Sequence, residues 1–132
     1  MTESIQLSTI LTASPEQLYK AWLSSKEHAA FTGSPAQINP NLNGDFTAWD
    51  GYIQGKNLEL KPYQRIVQAW RTTEFPADSP DSHLEVLFEA VQGGTKITLI
   101  HTEIPDGQSE DYYTGWEDFY FKPMMEYFTK KV

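Results

Sequence analysis

The stretch TGWEDFYFKPMMEYF, residues 114–128, carries Trp116, Phe119, Tyr120, Phe121, Tyr127 and Phe128, with Met124 and Met125 between them. Placed on a helix over 112–130 at about 100° per residue, Asp118, Lys122, Glu126 and Thr129 fall on one narrow polar sector. Tyr112, Tyr113, Trp116, Phe119, Tyr120, Met124 and Tyr127 spread over an arc of about 240°, where a helix on a flat surface needs only about 100°. A strongly curved sheet that wraps the helix buries such an arc, and a flat one does not. Pro123 interrupts the pattern. It lacks a backbone donor and crowds the carbonyl four residues earlier, so a kink or break is expected there.

The preceding residues supply the sheet. IQLSTILT, residues 5–12, reads as a first strand. Ser14-Pro15-Glu16-Gln17 then reads as a helix start, with Ser14 as cap, Pro15 at the first helical position and Gln17 closing a capping box. The helix runs through Leu18, Tyr19, Ala21, Trp22 and Leu23. A second short helix from Ser25 to near Gly33 carries Ala29, Ala30 and Phe31 on one side. Asn43-Gly44 and Asp50-Gly51 are tight-turn dipeptides that bracket a strand from Asp45 to Trp49. Residues 52–60 and 64–72 are the next two strands. EFPADSPDS, residues 74–82, holds two prolines and three acids and is expected to be a mobile loop.

HLEVLFEA and TKITLIHTE flank Val91-Gln92-Gly93-Gly94 as a hairpin, with Leu84, Val86, Phe88 and Ala90 alternating with mostly polar neighbours. IPDGQS leads into the last helix, whose first turn holds Glu110 and Asp111, where negative charge suits the helix dipole. The expected architecture is α+β. A curved antiparallel sheet of six or seven strands grips a long C-terminal helix, two short helices follow the first strand, and residues 1–132 form a single domain.

Composition narrows the function. The 132 residues suit one core, and 39% hydrophobic and 14% aromatic content point to a globular chain. No cysteine is present, which excludes disulfides, thiol catalysis and sulfur-ligated metals. No apolar run reaches the roughly 18 residues of a membrane span, and MTESIQLSTI lacks the marks of a secretory signal, so no membrane association and a cytoplasmic location are expected. The formal charge of −8, from 18 acidic and 10 basic residues, repels a phosphate backbone and argues against nucleic acid. It reads as solubility or as a surface for a basic protein partner.

Little catalytic chemistry is legible. His101 and Glu103 are two apart on a strand, so they are expected to share a face, as an acid–base dyad or as a strand-end pair near solvent. His28 and His83 lie on other elements without metal-ligand spacing, so no metal site is expected. Gly93-Gly94 sits between strands and is a turn, not a phosphate cradle. No nucleophile-elbow or P-loop pattern occurs, and neither a catalytic residue nor a cofactor is assigned. Trp22, Phe31, Trp49, Trp70, Phe88, Trp116, Tyr120 and Met124 are the large side chains expected near the helix–sheet gap. They read as packed core, or as the lining of an apolar ligand pocket with Gln68, Tyr120 and the indole N–H groups as polar handles.

The residues TASPEQLYKAWLSSKEHAAFTG, GDFTAWDGYIQGKNLELKPYQRIVQAWR, GGTKITLIHTEIP and Gly115-Trp116 together resemble a known family. It is the domain shared by activators of the Hsp90 ATPase, in its C-terminal-domain form, within the Bet v 1/START-like helix-grip superfamily. The resemblance implies the helix-grip fold and an Hsp90-type chaperone as partner. In full-length members a separate N-terminal domain makes the main activating contact and the C-terminal domain docks additionally. These residues match the latter, so the resemblance implies the additional docking contact and leaves activation open. The wider superfamily adds two further implications: binding of a small hydrophobic ligand between helix and sheet, and a cyclase- or aromatase-like reaction there.

Overall fold

The computed structural model describes residues 2–130. Its strands are β1 (Thr2–Leu11), β2 (Gln37–Ile38), β3 (Asp45–Ala48), β4 (Ile53–Lys61), β5 (Arg65–Thr72), β6 (Ser82–Val91) and β7 (Gly94–Pro105). They form one antiparallel seven-stranded sheet in the order β1-β7-β6-β5-β4-β3-β2. Helices α1 (Pro15–Leu23) and α2 (Ser25–Thr32) connect the two edge strands. The C-terminal helix comprises α3 (Ser109–Trp116), a π-helical turn (Glu117–Phe121) and α4 (Lys122–Lys130). This is the α+β helix-grip architecture, with a curved sheet, that the sequence implied.

Local chemistry explains the first half. Ser14 Oγ accepts from the Gln17 N–H at 3.2 Å and Gln17 Oε1 accepts from the Ser14 N–H at 3.0 Å, so the capping box is complete. Ser24 caps α2 by accepting from the Glu27 N–H, and Gly33 ends it in the left-handed region at φ 78°. The buried face of α2 is His28, Phe31 and Thr32, not the expected Ala29–Ala30–Phe31, because Ala30 is exposed. The hairpin turn is made by Gln92-Gly93, with Val91 paired to Gly94. Gly94 serves another purpose: a Cβ there would lie 1.9 Å from the Leu11 carbonyl oxygen, so its lack of a side chain lets β1 and β7 meet.

The C-terminal helix buries Tyr112, Trp116, Tyr120, Phe121, Met124 and Phe128. Tyr113, Phe119 and Met125 are exposed, so the buried stripe is narrower than the arc inferred for the sequence. Tyr112, Trp116, Tyr120, Met124 and Phe128 recur every fourth residue. An α-helix would drift by about 40° at each such step. The π turn holds more residues per turn and offsets the drift. It also resolves Pro123. The Lys122 N–H donates to Glu117 C=O, five residues back, and the helix continues without a break. Beyond the proline, Phe128 packs on Phe31 and the Tyr127 hydroxyl donates to Glu27 Oε1 at 2.9 Å, which pins α4 to α2. The side chain of Thr129, assigned to the polar sector, lies outside the described residues.

Two bulges break the strand alternation. In β7 the pairing with β1 steps from Ile5–His101 to Glu3–Ile104, with Glu103 at φ 59°. Glu103 is thereby exposed while His101 and Ile104 are fully buried, so the expected shared face of His101 and Glu103 does not form. In β4 the register shifts between Asn57 and Glu59, leaving Leu58 exposed and Asn57 inside. The acidic loop after β5 is anchored. Arg71 donates to Pro76 C=O, Ser79 C=O and Asp81 Oδ1, and Phe75 is buried against Trp70 and Tyr112.

Candidate functional site

A cavity of about 340 Å³ lies between the C-terminal helix and the β3–β5 end of the sheet. Its sheet side is Trp49, Tyr52, Ile53 and Trp70. Asp111, Tyr112, Gly115, Trp116, Phe119 and Tyr120 line the helix side. A concave, mostly aromatic space with a few polar groups has the character of a small-molecule site.

Trp49 reaches this wall through an unusual backbone. The strand expected to include it ends at Ala48, and Trp49, Asp50 and Gly51 are successively left-handed at φ 53°, 56° and 88°. That region is uncommon for a bulky side chain. The turn is fixed by Tyr52 N–H donating to Trp49 C=O and Asp50 N–H donating to Pro35 C=O. The Trp49 ring then meets Phe119 edge-on at 5.6 Å and Tyr120 at 6.5 Å, closing one side of the cavity.

Behind the wall stands a buried hydrogen-bonded pair. His28 Nδ1 is 2.9 Å from Trp22 C=O, which can only accept, so the proton is on Nδ1. Nε2 therefore accepts from the Tyr120 hydroxyl at 2.8 Å. Burial pushes the His28 pKa down to about 4, against the opposing hydrogen bond to Trp22. The Tyr120 hydroxyl is pushed well above its ordinary range by burial, opposed by a hydrogen bond from Trp49. At one end of the cavity the Tyr52 hydroxyl donates to Glu74 Oε2, and the Tyr112 hydroxyl donates to Gln108 Oε1 at 2.6 Å beside Thr72 Oγ1.

His101 belongs to a different knot. The Trp116 indole N–H donates to its Nδ1 at 3.2 Å, which puts its proton on Nε2, and Nε2 donates to Ser82 Oγ at 2.8 Å. Ser82 in turn donates to Trp70 C=O at 2.6 Å. Burial, with a smaller effect of His83, lowers the His101 pKa to about 3. Both ring nitrogens are committed, and Glu103 points elsewhere. Among the described residues no group of three or more histidines and acids stands close enough to hold a metal ion.

Of the nine residues assigned to a pocket from sequence, Trp49, Trp70, Trp116 and Tyr120 stand in the cavity wall. Trp22, Phe31, Phe88 and Met124 are packed in the core and do not line it. Gln68 is buried too, bridging Trp22 and Asn57: its Oε1 accepts from the Trp22 indole at 3.4 Å and its amide donates to Asn57 Oδ1 at 2.9 Å. The indole donors of Trp22 and Trp116 are thus spent inside the protein. Sequence reasoning left out Tyr52, Ile53, Asp111, Tyr112, Gly115 and Phe119, and missed His28 as the partner of Tyr120.

Residues 12–129 match the model of a family described as Activator of Hsp90 ATPase homolog 1-like protein. The chain belongs to this family. Human Activator of 90 kDa heat shock protein ATPase homolog 1 is 28% identical over 127 residues, which are 96% of this chain and 37% of the human protein. The chain therefore spans little more than a third of that relative's length. The crystal structure of an HSP90 activator from Plasmodium falciparum matches with a TM-score of 0.84 at 24% identity, over 90% of this chain and 91% of that one. A protein from Chromobacterium violaceum matches with a TM-score of 0.77 at 25% identity, over 95% and 96%. Within this member of the Hsp90-activator family, the stretches that carry the resemblance converge on the cavity. The WDG turn gives Trp49, the IVQAWR strand gives Trp70, and Gly115-Trp116 forms the helix side.

Gly115 was the available sequence signal for this wall. Glycine inside a helix costs about 0.5–1 kcal/mol relative to alanine, so its presence needs a reason such as space for a neighbour. A Cβ built there meets only the Phe119 ring at 4.0 Å. Gly115→Ala is expected to raise stability by about 0.5–1 kcal/mol, read as a higher urea midpoint at unchanged slope. Destabilisation would show that the helix needs the glycine for its own packing.

Proposed function

We propose that this chain acts in the cytoplasm as a non-enzymatic, co-chaperone-like binding module, a single domain over residues 1–132 that docks on an Hsp90-type chaperone. The family match over residues 12–129 carries this reading, together with relatives whose names are those of Hsp90 ATPase activators. The net charge of −8 supports an association with basic surface on the partner that weakens as salt rises. Titrating the isotope-labelled protein with the source organism's Hsp90 is expected to shift or broaden backbone amide signals on one face, with smaller effects at high salt. An unchanged spectrum at concentrations well above micromolar would rule the docking out.

A second reading is favoured by the cavity itself: a small hydrophobic ligand held between helix and sheet. Its aromatic wall and its volume of about 340 Å³ support this. The cyclase- or aromatase-like alternative has less behind it, since the His101–Glu103 pair that it would use is not assembled.

A further inference from the structure

We propose that the cavity selects organic cations, seating an alkyl- or arylammonium group among the rings of Trp49, Trp70, Tyr112, Trp116, Phe119 and Tyr120 with the Asp111 carboxylate at the rim. This rests on the ligand-binding reading of the cavity and gives that ligand its chemical class.

Three observations point to a cation rather than to a neutral or anionic ligand. The first is the shape of the aromatic wall. The lining rings meet at steep angles: Trp49–Phe119 at 69°, Trp49–Tyr120 at 62°, Trp70–Tyr112 at 81°, Trp70–Trp116 at 42° and Trp116–Tyr120 at 57°. None of these neighbouring pairs is parallel, so adjacent rings turn around the space rather than stack along it. Each ring carries negative charge on its face, and a rounded cation within about 6 Å of several faces is attracted by all of them.

The second is the charge of the lining. Among the described residues that line the cavity, Asp111 alone carries a formal charge, and it is negative; none of them is a lysine or arginine. The protein around it bears −8. An anion would enter a wall of ring faces against that field. A cation is drawn in by it.

The third is the state of the hydroxyls. The Tyr120 proton goes to His28, the Tyr52 proton to Glu74 and the Tyr112 proton to Gln108. None of these three side chains keeps a hydroxyl proton to donate into the cavity. That leaves a carboxylate or phosphate without a hydroxyl donor there.

The test uses two probes of one shape: phenyltrimethylammonium and tert-butylbenzene, which differ by nitrogen for carbon. Each is titrated into the labelled protein, following the amide and indole signals of residues 49–53, 70 and 111–120. The cation is expected to bind about tenfold tighter than its neutral isostere, with shifts confined to those residues. Asp111→Asn is expected to weaken the cation several-fold and leave the isostere unchanged. Equal affinities, or a preference for tert-butylbenzene, would overturn the cation selectivity while keeping the cavity as a ligand site. Shifts away from the cavity, or none with either probe, would overturn both.

Discussion

Lowering the pH from 6.5 to about 4.5 is expected to remove about 4 kcal/mol of stability, a large share of the roughly 5–15 kcal/mol that a domain has to lose. The cause is the pair of buried neutral histidines. His28 and His101 have folded pKa values of about 4 and about 3, against an ordinary 6.5 in the unfolded chain. Both are held as the neutral base by burial and by hydrogen bonds that fix one tautomer. Below pH 6.5 the unfolded chain takes up a proton at each, while the native state takes up neither. Stability is therefore complete above 6.5 and falls with pH. The slope approaches about 2.7 kcal/mol per pH unit, two protons at about 1.36 each. Glu3, whose carboxylate accepts from the Ser109 N–H at the start of α3, is held below its ordinary pKa by Ser109 and then Gly107. Its contribution is lost later, as the pH falls through that lowered value. Urea unfolding at a series of pH values would show the slope. His101→Gln, which keeps a donor and an acceptor in the same place, is expected to cut it to about half. A flat stability between pH 7 and 5 would mean that both histidines charge without unfolding the protein.

These same histidines mark where sequence stops being informative. The Ser14–Gln17 capping box, the Asn43-Gly44 turn and the hairpin around Gly93 are decided by residues within a few positions of one another, and each appears as read. Whatever depends on a count of residues along an element was less legible. One extra residue in β7 turns Glu103 outward, and one wide turn of helix lets Pro123 stay inside. Neither has a local marker, because a bulge is stabilised by what the strand meets across the sheet. The cavity shows the same division. Trp49, Trp70, Trp116 and Tyr120 announce themselves by size. Gly115 lines the wall by having no side chain, and Phe119 by staying exposed at its mouth. Trp22 and Gln68 are as bulky and as polar as any pocket residue, yet they bond to each other across 46 positions of sequence. Such pairings are set by the assembled sheet and helices, not by spacing.

Asn57→Leu is expected to cost about 3 kcal/mol. Asn57 is fully buried at the β4 bulge, and its side chain fastens three parts of the molecule. Its amide donates to Asn39 C=O at 2.9 Å and to Asn41 C=O at 3.1 Å, holding the loop that precedes β3. Its Oδ1 accepts from Gln68, which in turn reaches Trp22 on α1. Leucine fills the space but leaves the Gln68 donor buried without an acceptor and the Asn39 carbonyl without its donor, while Asn41 C=O keeps the Gly44 N–H at 2.9 Å. Such a loss costs about 1–3 kcal/mol where water cannot enter, and less at the loop carbonyl, whose residue is exposed. The backbone bonds of Asn57 to Gly44 and Asn43 survive the change, so the loop is loosened rather than released. The decisive comparison is with Gln68→Leu and the double variant. Removing both partners leaves fewer orphaned groups than the single changes predict, so the double variant is expected to be more stable than their sum by about 1–2 kcal/mol. Strict additivity in urea unfolding would mean that the two amides contribute independently, and that the chain from Trp22 to the loop does not act as one unit.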